Sequence, residues 1–308
     1  MDSVIEIAFA KINIYLDIVG RMPDGYHDLA TIMQIVSLHD LVEIKLNNTK
    51  EINTKEINLI CEGVDIEPKK NLAFKAAELF FENMFEEVTT GVDIVITKNI
   101  PVAAGLGGGS ADAAAVLRGM NRLYGHHFTT EQLCLIAREI GADVEFNVLG
   151  GVYVCRERGK PIINTNGIRY YNLLLVSCGT KESTNLQYQK LDFLYNDFVD
   201  YKCCEGYADS IDACMGGRCS DLFKSTKNIF ESLYQGNETA DLIKEVMYKY
   251  NAKLVMLSGS GPTYFGVFPN SLYLEDAQEE FEKLGLKTIA CDPINTTYEE
   301  IEKGYRLI

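Results

Sequence analysis

The chain has 308 residues, of which 47% are hydrophobic and 24% are charged. These are ordinary globular values, and they exclude intrinsic disorder, collagen and a coiled coil as descriptions of the whole chain. Its 29 Lys and Arg residues stand against 44 Asp and Glu, which leaves a formal net charge of −15. General nucleic-acid binding and binding to anionic membranes both need a basic surface, so we expect neither partner. An anionic small molecule remains compatible, because a few local donors can outweigh net charge.

The sequence contains no apolar run of the ~20 residues that a membrane span needs. The N-terminal segment has no basic region before its apolar stretch, so it predicts a first strand and not a signal or transit peptide. The nine Cys residues are odd in number and mostly scattered, which argues against a secreted disulfide framework. We therefore expect a reducing, cytoplasmic location.

Four cysteines lie close together in the sequence: Cys203, Cys204, Cys214 and Cys219. Four thiols could bind zinc, but no Cys-x-x-Cys pair occurs here and a turn is predicted at residues 215–217. We interpret them as free thiols, with a metal site as the alternative.

Periodicity predicts an α+β protein. In the first half, strands are expected at 4–19, 30–47 and 92–97, and helices at 71–85, 110–124 and 130–140. The first strand alternates and is predicted to be half-buried. The last of these helices begins with a capping-box pattern, Thr129 and Gln132, and ends at Gly141.

The second half follows a break at Gly150-Gly151. Strands are expected at 152–155, 172–177, 253–257, 263–268 and 287–291, with a helix-rich stretch at 185–250 and a helix at 274–284. We predict two α+β domains, residues 1–155 and 156–308.

The strongest functional signal is a glycine-rich segment that follows a predicted strand and leads into an Ala-rich helix. Its glycines are Gly105, Gly107, Gly108 and Gly109. Glycine permits positive φ and close backbone approach, and the free N–H groups and dipole of a helix start favour an anion. Ser110 can cap the helix or donate its hydroxyl to a phosphate. We predict a phosphate-binding loop, the alternative being a plain glycine-rich turn.

Two common phosphate-binding motifs do not fit this loop. No Gly-x-x-x-x-Gly-Lys-Ser/Thr sequence occurs, which excludes a P-loop. A dinucleotide fingerprint would need glycine where Ser110 stands, and the preceding Pro101 also fits it poorly.

Two further segments complete a recognisable order of motifs. Lys11 and Asn13 lie on the polar face of the first strand, and residues 257–263 (Leu-Ser-Gly-Ser-Gly-Pro-Thr) form a second glycine-rich loop. A Lys-bearing strand, a Pro-x-x-x-Gly-Leu-Gly loop and a Ser-Gly-Ser-Gly-Pro loop resemble the GHMP kinase superfamily over essentially the whole chain. The resemblance implies a two-domain fold with a ribosomal-protein-S5-domain-2-like N-terminal half and a ferredoxin-like C-terminal half.

Three motifs narrow the resemblance. The triple glycine at 107–109, the segment Gly-Arg-Met-Pro-Asp-Gly-Tyr-His-Asp at 20–28 and Ile-Gly-Ala-Asp-Val at 140–144 are similar to the 4-diphosphocytidyl-2-C-methyl-D-erythritol kinases. These are ATP-dependent kinases of the non-mevalonate isoprenoid pathway. The resemblance implies ATP as phosphoryl donor and the 2-hydroxyl of a CDP-linked polyol as acceptor. It also implies Mg²⁺ held mainly by phosphates and water, because the usual hydroxyl ligand is replaced by glycine at 108 and 109. No protein metal ligand is expected.

The same resemblance implies Asp143 as catalytic base and Lys11 as its charge partner. The physical logic agrees, since a carboxylate can take a hydroxyl proton and an ammonium can stabilise the developing charge. Asp143 is predicted to lie in a loop just past a helix; its alternative is an ordinary turn residue.

The remaining implied residues bind the two substrates. For ATP they are Pro101, Val102, Ala103, Ala104, Gly105, Leu106, Gly107, Gly108, Gly109, Ser110 and Ala111, with Asn71 and Lys98 at the adenine. For the acceptor they are Asn13, Tyr26, His27, Thr184 and Tyr188. The second glycine loop, with Ser258, Gly259, Ser260 and Gly261, is a further part of the site that is not assigned to either substrate. Tyr26 and Tyr188 are expected to sandwich the cytosine while His27 bonds its edge. The alternatives are a helix N-cap for Asn71, a solvated side chain for Lys98 and a packed surface aromatic for Tyr26.

The sequence also departs from the pattern that it resembles. Glu145 and Asn147 stand where Pro and Phe are usual, Glu157 and Lys160 replace Gly and Glu, and Ala111 replaces a second Ser. None removes a proposed catalytic group, but they affect the expected cleft shape and substrate affinity. The competing interpretations are another GHMP small-alcohol kinase, for mevalonate, homoserine or a sugar, and a nucleotide-binding regulator without catalysis.

Overall fold

The computed structural model describes residues 2–47, 55–64, 66–84, 90–180, 182–195 and 206–305. Cys203 and Cys204 lie outside these residues. The described residues divide into two compact units, the first taken from 1–10, 39–102 and 107–150, and the second from 11–38, 103–106 and 151–308. The two-domain division at residues 155 and 156 stays a prediction.

Two long strands contribute residues to both units: β1 (Ser3–Arg21) and β2 (His27–Asn47). The expectation of a half-buried first strand is wrong beyond its first residues, because β1 is buried on both faces from Ala8 to Gly20. Its polar side chains tolerate burial because they have hydrogen-bonding or ionic partners. One of them, Asp17, accepts from the Lys227 ammonium at 2.7 Å.

The first unit combines strands with four helices. They are β3 (Ile57–Glu62), α1 (Leu72–Asn83), β4 (Gly91–Thr97), α2 (Gly108–Leu123), α3 (Thr130–Ile140) and α4 (Val144–Leu149), with a 3₁₀ turn at Pro68–Lys70. β4 pairs antiparallel with residues 41–47 of β2 and parallel with β3. α2 packs against α1 and is buried without interruption from Ala111 to Asn121, as its small Ala side chains permit.

The second unit holds a four-stranded antiparallel sheet in the order β10-β7-β9-β8. Its elements are β5 (Val152–Glu157), β6 (Lys160–Asn164), β7 (Asn172–Ser177), α5 (Thr184–Tyr195), α6 (Tyr207–Met215), α7 (Cys219–Ser225), a 3₁₀ helix (Ile229–Tyr234), α8 (Glu238–Lys249), β8 (Leu254–Leu257), β9 (Thr263–Phe268), α9 (Ser271–Lys283), β10 (Thr288–Cys291), β11 (Pro293–Ile294) and α10 (Tyr298–Glu302). Buried residues of α8 and α9, such as Met247 and Phe281, share one core with Leu174 of β7. β5 pairs with residues 29–34 of β2.

The α+β class and most predicted elements are confirmed. The capping box of α3 is formed by Thr129 and Gln132 as expected. α2 begins two residues before the predicted start, at Gly108 with Gly107 as N-cap, so Ser110 is not the capping residue. Asp143 lies in the short connection just past α3, as predicted, and it is also the N-cap residue of a short helix, α4, that was not predicted. None of the helices within the described residues has the length and apolar character that crossing a membrane requires.

Candidate active site

Lys11 begins a chain of buried hydrogen bonds in the second unit. Its Nζ donates to Asn13 Oδ1 at 2.7 Å, and Asn13 Nδ2 donates to Thr31 Oγ1 at 2.9 Å. The Thr31 hydroxyl in turn donates to the main-chain oxygen of Tyr15 at 2.7 Å. The ammonium of Lys11, only 5% exposed as a residue, is thereby held in one orientation. Asn13 Oδ1 thus orients the Lys11 ammonium, and its predicted contact with the acceptor stays a prediction.

The middle of the predicted phosphate loop contacts both Lys11 and the second glycine loop. The Lys11 amide donates to the Leu106 carbonyl at 2.9 Å, and Ser258 Oγ donates to the Gly105 carbonyl at 3.1 Å. Gly105 has φ +80°, and a Cβ there would lie 2.3 Å from the Ser258 carbonyl oxygen. This position therefore requires glycine for the two loops to meet. Three sequence-predicted segments are brought together here.

The second glycine loop is held by side chains that the sequence did not single out. Asn228 Nδ2 donates to the carbonyls of Leu257 and Gly259 at 2.7 and 2.8 Å. Gln187 Nε2 and the Tyr234 hydroxyl both donate to the Ser260 carbonyl, at 2.8 and 3.0 Å. No local motif marks these donors, because each lies far along the chain from the loop that it supports.

The last part of the phosphate loop lies in the first unit, where it becomes α2. Gly107 is left-handed, with φ +74°, and as N-cap it offers no side chain to the first turn. A Cβ at Gly109 would contact only Leu72 Cδ1, at 3.9 Å, so the surface beside this first turn is open. Uncapped N–H groups at the start of a long helix suit an anion, which agrees with the predicted phosphate role.

A buried charge cluster lies beside the first turn of α2. The Lys98 ammonium donates to Asp112 Oδ2 at 2.7 Å and also to Asp40 Oδ2. Asp40 Oδ1 accepts from the Ile100 amide at 2.8 Å. A Cβ at Gly108 would lie 3.3 Å from Lys98 Nζ, which places the cluster next to the loop. The alternative of a solvated Lys98 is therefore wrong, while its contact with adenine stays a prediction.

Burial and charge act against each other in this cluster. Burial raises the pKa of Asp112 to about 7, with the Lys98 charge opposing the shift and the Asp40 charge adding to it. Burial also disfavours the Lys98 ammonium, but the charges and hydrogen bonds of Asp112 and Asp40 outweigh that effect and raise its pKa. Within the described residues, Asp112 Oδ1 has no hydrogen-bond partner. A proton on this carboxyl near neutral pH is consistent with such an environment.

Asn71 and Asp143 occupy the starts of two helices in the same unit. Asn71 Oδ1 accepts from the Ala73 amide at 2.9 Å, so the N-cap alternative is confirmed for its side-chain oxygen. Asp143 is half-buried and makes no side-chain capping bond to α4. The carboxylate of Asp143 therefore does not cap α4.

The predicted acceptor residues lie in the second unit with a changed arrangement. Tyr188, on α5, stacks on the His27 ring with centroids 4.5 Å apart at 18°. The Tyr26 ring, 58% exposed as a residue, lies under the guanidinium of Arg158 at 3.6 Å. His27 Nε2 contacts Asp192 Oδ1 at 2.7 Å. Thr184 is the first residue of α5.

Asp192 and Arg158 are thus additional members of this group. Asp192 binds Arg21 through its second oxygen at 2.6 Å, and Arg158 pairs with Asp24. The Gly-Arg-Met-Pro-Asp-Gly segment contains Arg21 and Asp24, which was the available signal, but their partners are distant in sequence. The sandwich of a cytosine by Tyr26 and Tyr188 stays a prediction.

Metal and thiol chemistry have little support within the described part of the chain. No group of three His, Cys, Asp or Glu side chains suited to a metal occurs there. Cys214 and Cys219 are free thiols, and burial raises the pKa of Cys214 to about 12, which leaves it protonated at neutral pH. The expected coordination of Mg²⁺ by phosphates and water stays a prediction.

Known proteins resemble this chain over most of its length. The model of the GHMP kinases N terminal domain matches residues 71–154. A 4-diphosphocytidyl-2-C-methyl-D-erythritol kinase of Caldicellulosiruptor saccharolyticus is 34% identical over 290 residues, covering 92% of this chain and 96% of that protein. The protein of the same name from Alkaliphilus metalliredigens is 36% identical, with coverage of 91% and 92%.

Solved structures agree with these relatives. A crystal structure of 4-(cytidine 5'-diphospho)-2C-methyl-D-erythritol kinase has a TM-score of 0.71 at 26% identity, covering 94% of this chain and 99% of that one. The homoserine kinase of Cytophaga hutchinsonii has a TM-score of 0.70 at 14% identity, with 95% of each chain covered. The mevalonate kinase of Methanococcus jannaschii has a TM-score of 0.70 at 16% identity, covering 95% and 98%. The last two show a shared fold alone.

Proposed function

The chain belongs to the 4-diphosphocytidyl-2-C-methyl-D-erythritol kinases of the GHMP kinase superfamily, and on this premise we propose that it phosphorylates the 2-hydroxyl of that CDP-linked polyol with ATP. The enzyme is a small-molecule kinase. The observation that carries the proposal is identity of 34% and 36% to kinases of this name over nine-tenths of the chain. The bonds that join the phosphate loop to Lys11 and to Ser258 support it independently.

The proposed reaction transfers one proton to Asp143 and one phosphoryl group to the acceptor. Asp143 takes the proton of the acceptor hydroxyl, whose oxygen then forms a bond to the γ-phosphorus of ATP. The bond from that phosphorus to the β,γ-bridging oxygen breaks, and ADP leaves with the electron pair. Lys11 stabilises the negative charge that develops, because a fixed ammonium needs no reorganisation when charge appears. The orientation of its Nζ by Asn13 supports this role.

Binding of ATP is proposed for the loop from Pro101 to Ala111, with Asn71 and Lys98 near the adenine. Main-chain N–H groups of the first turn of α2 would hold the phosphates, since Gly107 leaves that turn without a side-chain cap. Mg²⁺ would be held mainly by the phosphates and water and would offset the phosphate charge. A nucleotide with its phosphates neutralised in this way is compatible with an acidic chain.

Binding of the acceptor is proposed for Asn13, Thr184 and the aromatic group, with the second glycine loop as a further part of the site. One face of the Tyr26 ring would stack on the cytosine, while Arg158 lies over the other face of the Tyr26 ring. His27 and Tyr188, stacked on each other, would form the second wall and the edge contact. Small-molecule partners and a cytoplasmic location complete the proposal.

A coupled ADP-release assay with 4-diphosphocytidyl-2-C-methyl-D-erythritol as acceptor tests the proposal. We expect turnover by the wild type and a kcat lowered roughly 10²- to 10⁴-fold in both Asp143→Asn and Lys11→Ala, the usual range for loss of a general base or of its charge partner. The Kd for ATP should change little in Asp143→Asn.

Each other outcome has a definite meaning. Near-full turnover by Asp143→Asn would remove this residue from the mechanism. ATP binding without transfer to any alcohol would favour a regulator. Because Lys11 is buried, circular dichroism at the assay temperature must show that Lys11→Ala is folded.

A further inference from the structure

Asp143 is the N-cap residue of α4, a helix that is too short to be stable by itself. α4 has six residues, Val144–Leu149, and a helix of that length is unstable by itself in water. The Asp143 side chain makes no capping bond to it. The backbone position from which the Asp143 side chain extends therefore depends on what fixes the first turn of α4.

An ion pair fixes that turn to the end of the preceding helix. Arg138, in the last turn of α3, donates through Nε to Glu145 Oε2 at 2.7 Å and through Nη2 to Oε1 at 2.6 Å. Such a two-bond fork sets orientation as well as distance. The Glu145 side chain is 6% exposed and that of Arg138 is 44% exposed, so the carboxylate is the buried partner. Glu145 lies only two residues after Asp143.

Further bonds secure the rest of α4 within the same unit. Asn147 Nδ2 donates to the main-chain oxygen of Asp143 at 2.8 Å. Arg118 Nη1 donates to the Asn147 carbonyl at 2.7 Å, and Arg118 Nη2 donates to the Ile7 carbonyl at 2.9 Å. α4 is thereby attached to α2 and to the start of β1. The attachment to α2 uses the main-chain carbonyl of Asn147, whereas the attachment to α3 uses the side chain of Glu145.

We propose that Arg138 and Glu145 are positioning residues for Asp143, and that their ion pair sets where the catalytic carboxylate points. In this chain a charge pair to a neighbouring helix fixes the first turn of α4. The inference rests on the proposed function, because it gives Asp143 its role as base. It adds two residues that touch neither substrate in that proposal.

The test measures kcat and both KM values for Glu145→Ala, Arg138→Ala and the double variant. We expect kcat to fall about 10- to 100-fold in each single variant, since a displaced base loses its alignment with the hydroxyl, while both KM values stay within about twofold. The double variant should be no slower than the slower single one, because the two residues act as a unit. Arg218→Ala is the matched control: its side chain is 49% exposed and pairs with Asp221, and its kcat should be unchanged.

Arg138→Ala leaves a buried carboxylate without its partner and could unfold the protein. Arg138→Lys keeps the charge but not the fork, so it decides the matter if the Ala variants melt below the assay temperature. An intermediate kcat in folded Arg138→Lys supports the proposal, and a wild-type kcat overturns it. A folded Glu145→Ala with wild-type kcat, additive losses in the double variant, or an equal loss in Arg218→Ala also overturns it.

Asp143→Asn in the same assay distinguishes failure of the positioning inference from failure of the proposed function. If the wild type is active, Asp143→Asn is not, and the Arg138 and Glu145 variants keep full kcat, the positioning inference fails and the proposed function stands. If Asp143→Asn is itself fully active, the assignment of the base fails and the positioning inference fails with it.

Discussion

Two carboxyl groups and one ammonium share a buried site beside the first turn of α2. Lys98 bonds both Asp40 and Asp112, yet one oxygen of Asp112 has no partner among the described residues. One ammonium cannot fully compensate two buried carboxylates, and the proton that Asp112 keeps to about pH 7 relieves the excess charge. Asp112 therefore contributes a pH dependence to the stability of the protein.

The sign of that dependence follows from proton counting. Between pH 4 and pH 7 the folded protein holds a proton on Asp112 that the unfolded chain has released, so the free energy of unfolding contributed by this group falls as pH rises. Asp112→Asn cannot titrate. We expect the variant to gain stability relative to the wild type from about pH 4 to about pH 7, and the difference to become constant above that.

Urea unfolding of both proteins across this pH range measures the difference. Asp93→Asn is a suitable control, because hydrogen bonds from Asn47 and Asn58 hold the pKa of Asp93 below its ordinary value. The stability of Asp93→Asn relative to the wild type should fall as pH rises, which is the opposite sign, and this change should occur at lower pH than for Asp112→Asn. A stability difference for Asp112→Asn that does not change between pH 4 and pH 7 would contradict a protonated Asp112.

The aromatic group of the second unit gives a second prediction. Stacking on an aromatic ring is worth roughly 1–3 kcal/mol per base, so Tyr26→Ala and Tyr188→Ala should each raise the acceptor KM by about 5- to 150-fold. His27→Ala should act in the same direction by loss of an edge contact. Asp192→Ala should do so as well, because it removes the carboxylate that holds the His27 ring. The KM for ATP should stay nearly constant in all four.

Steady-state kinetics with each substrate varied in turn measures these effects. Asp192→Asn retains an acceptor oxygen for the His27 ring and should raise the acceptor KM less than Asp192→Ala. If the substitutions raise the KM for ATP and leave the acceptor unaffected, the two substrate sites have been assigned the wrong way round.

In the phosphate loop, the space around each glycine distinguishes a glycine that the fold requires from one that leaves room for a ligand. Gly105 has φ +80° and its added Cβ would overlap the Ser258 carbonyl, whereas a Cβ at Gly109 meets only Leu72 at ordinary distance. Gly105→Ala should therefore lower Tm, because it forces the two glycine loops apart. Gly109→Ala should keep Tm or raise it, since Ala is favoured over Gly in a helix by roughly 1 kcal/mol.

If main-chain groups of this turn hold phosphate, Gly109→Ala should nevertheless weaken ATP binding, because its methyl group occupies the open surface. Calorimetric titration with ATP, beside thermal unfolding without it, measures both quantities. Gly108 is a poorer choice, because its Cβ would press on Ile100 and Lys98. Unchanged ATP affinity in a stable Gly109→Ala would mean that this loop is only a turn.

The elements that the sequence predicted are those with a strong local signal. α3 has a capping box and an amphipathic face, and both were readable. β3 and β6 were not, because only alternate residues of β3 are partly buried and β6 is largely exposed. α4 was missed because its six residues depend on Arg138 and Arg118, which no local pattern connects to it.

The same limit applies to the site. The glycine loops, Lys11 and Asp143 are predicted from motifs, because each motif is a short run of neighbouring residues. The partners of His27 and Lys98 could not be predicted in this way, because Asp192 is 165 positions from His27 and Asp40 is 58 positions from Lys98. Such pairs exist only after the strands and helices pack.

At the scale of the whole molecule, the fold by itself does not choose the acceptor. Homoserine and mevalonate kinases share it at a TM-score of 0.70, although their sequences are only 14% and 16% identical to this one. A common fold carries many functions, so the choice must come from side chains. The aromatic and charged group around His27 is the structural feature that a small acceptor without a base would leave unused.

This reasoning predicts how the enzyme ranks its acceptors. 4-Diphosphocytidyl-2-C-methyl-D-erythritol should be phosphorylated with a kcat/KM at least about 5-fold and up to about 150-fold above those for mevalonate and homoserine, since one stacked base is worth roughly 1–3 kcal/mol. Tyr188→Ala should narrow that ratio by lowering only the first value, because the small acceptors never contact the ring. ADP release with each acceptor at matched concentrations measures the ratio. Equal use of all three acceptors, or a ratio that Tyr188→Ala leaves unchanged, would show that the aromatic group does not recognise the base, and selectivity would then have to come from the polyol end of the site.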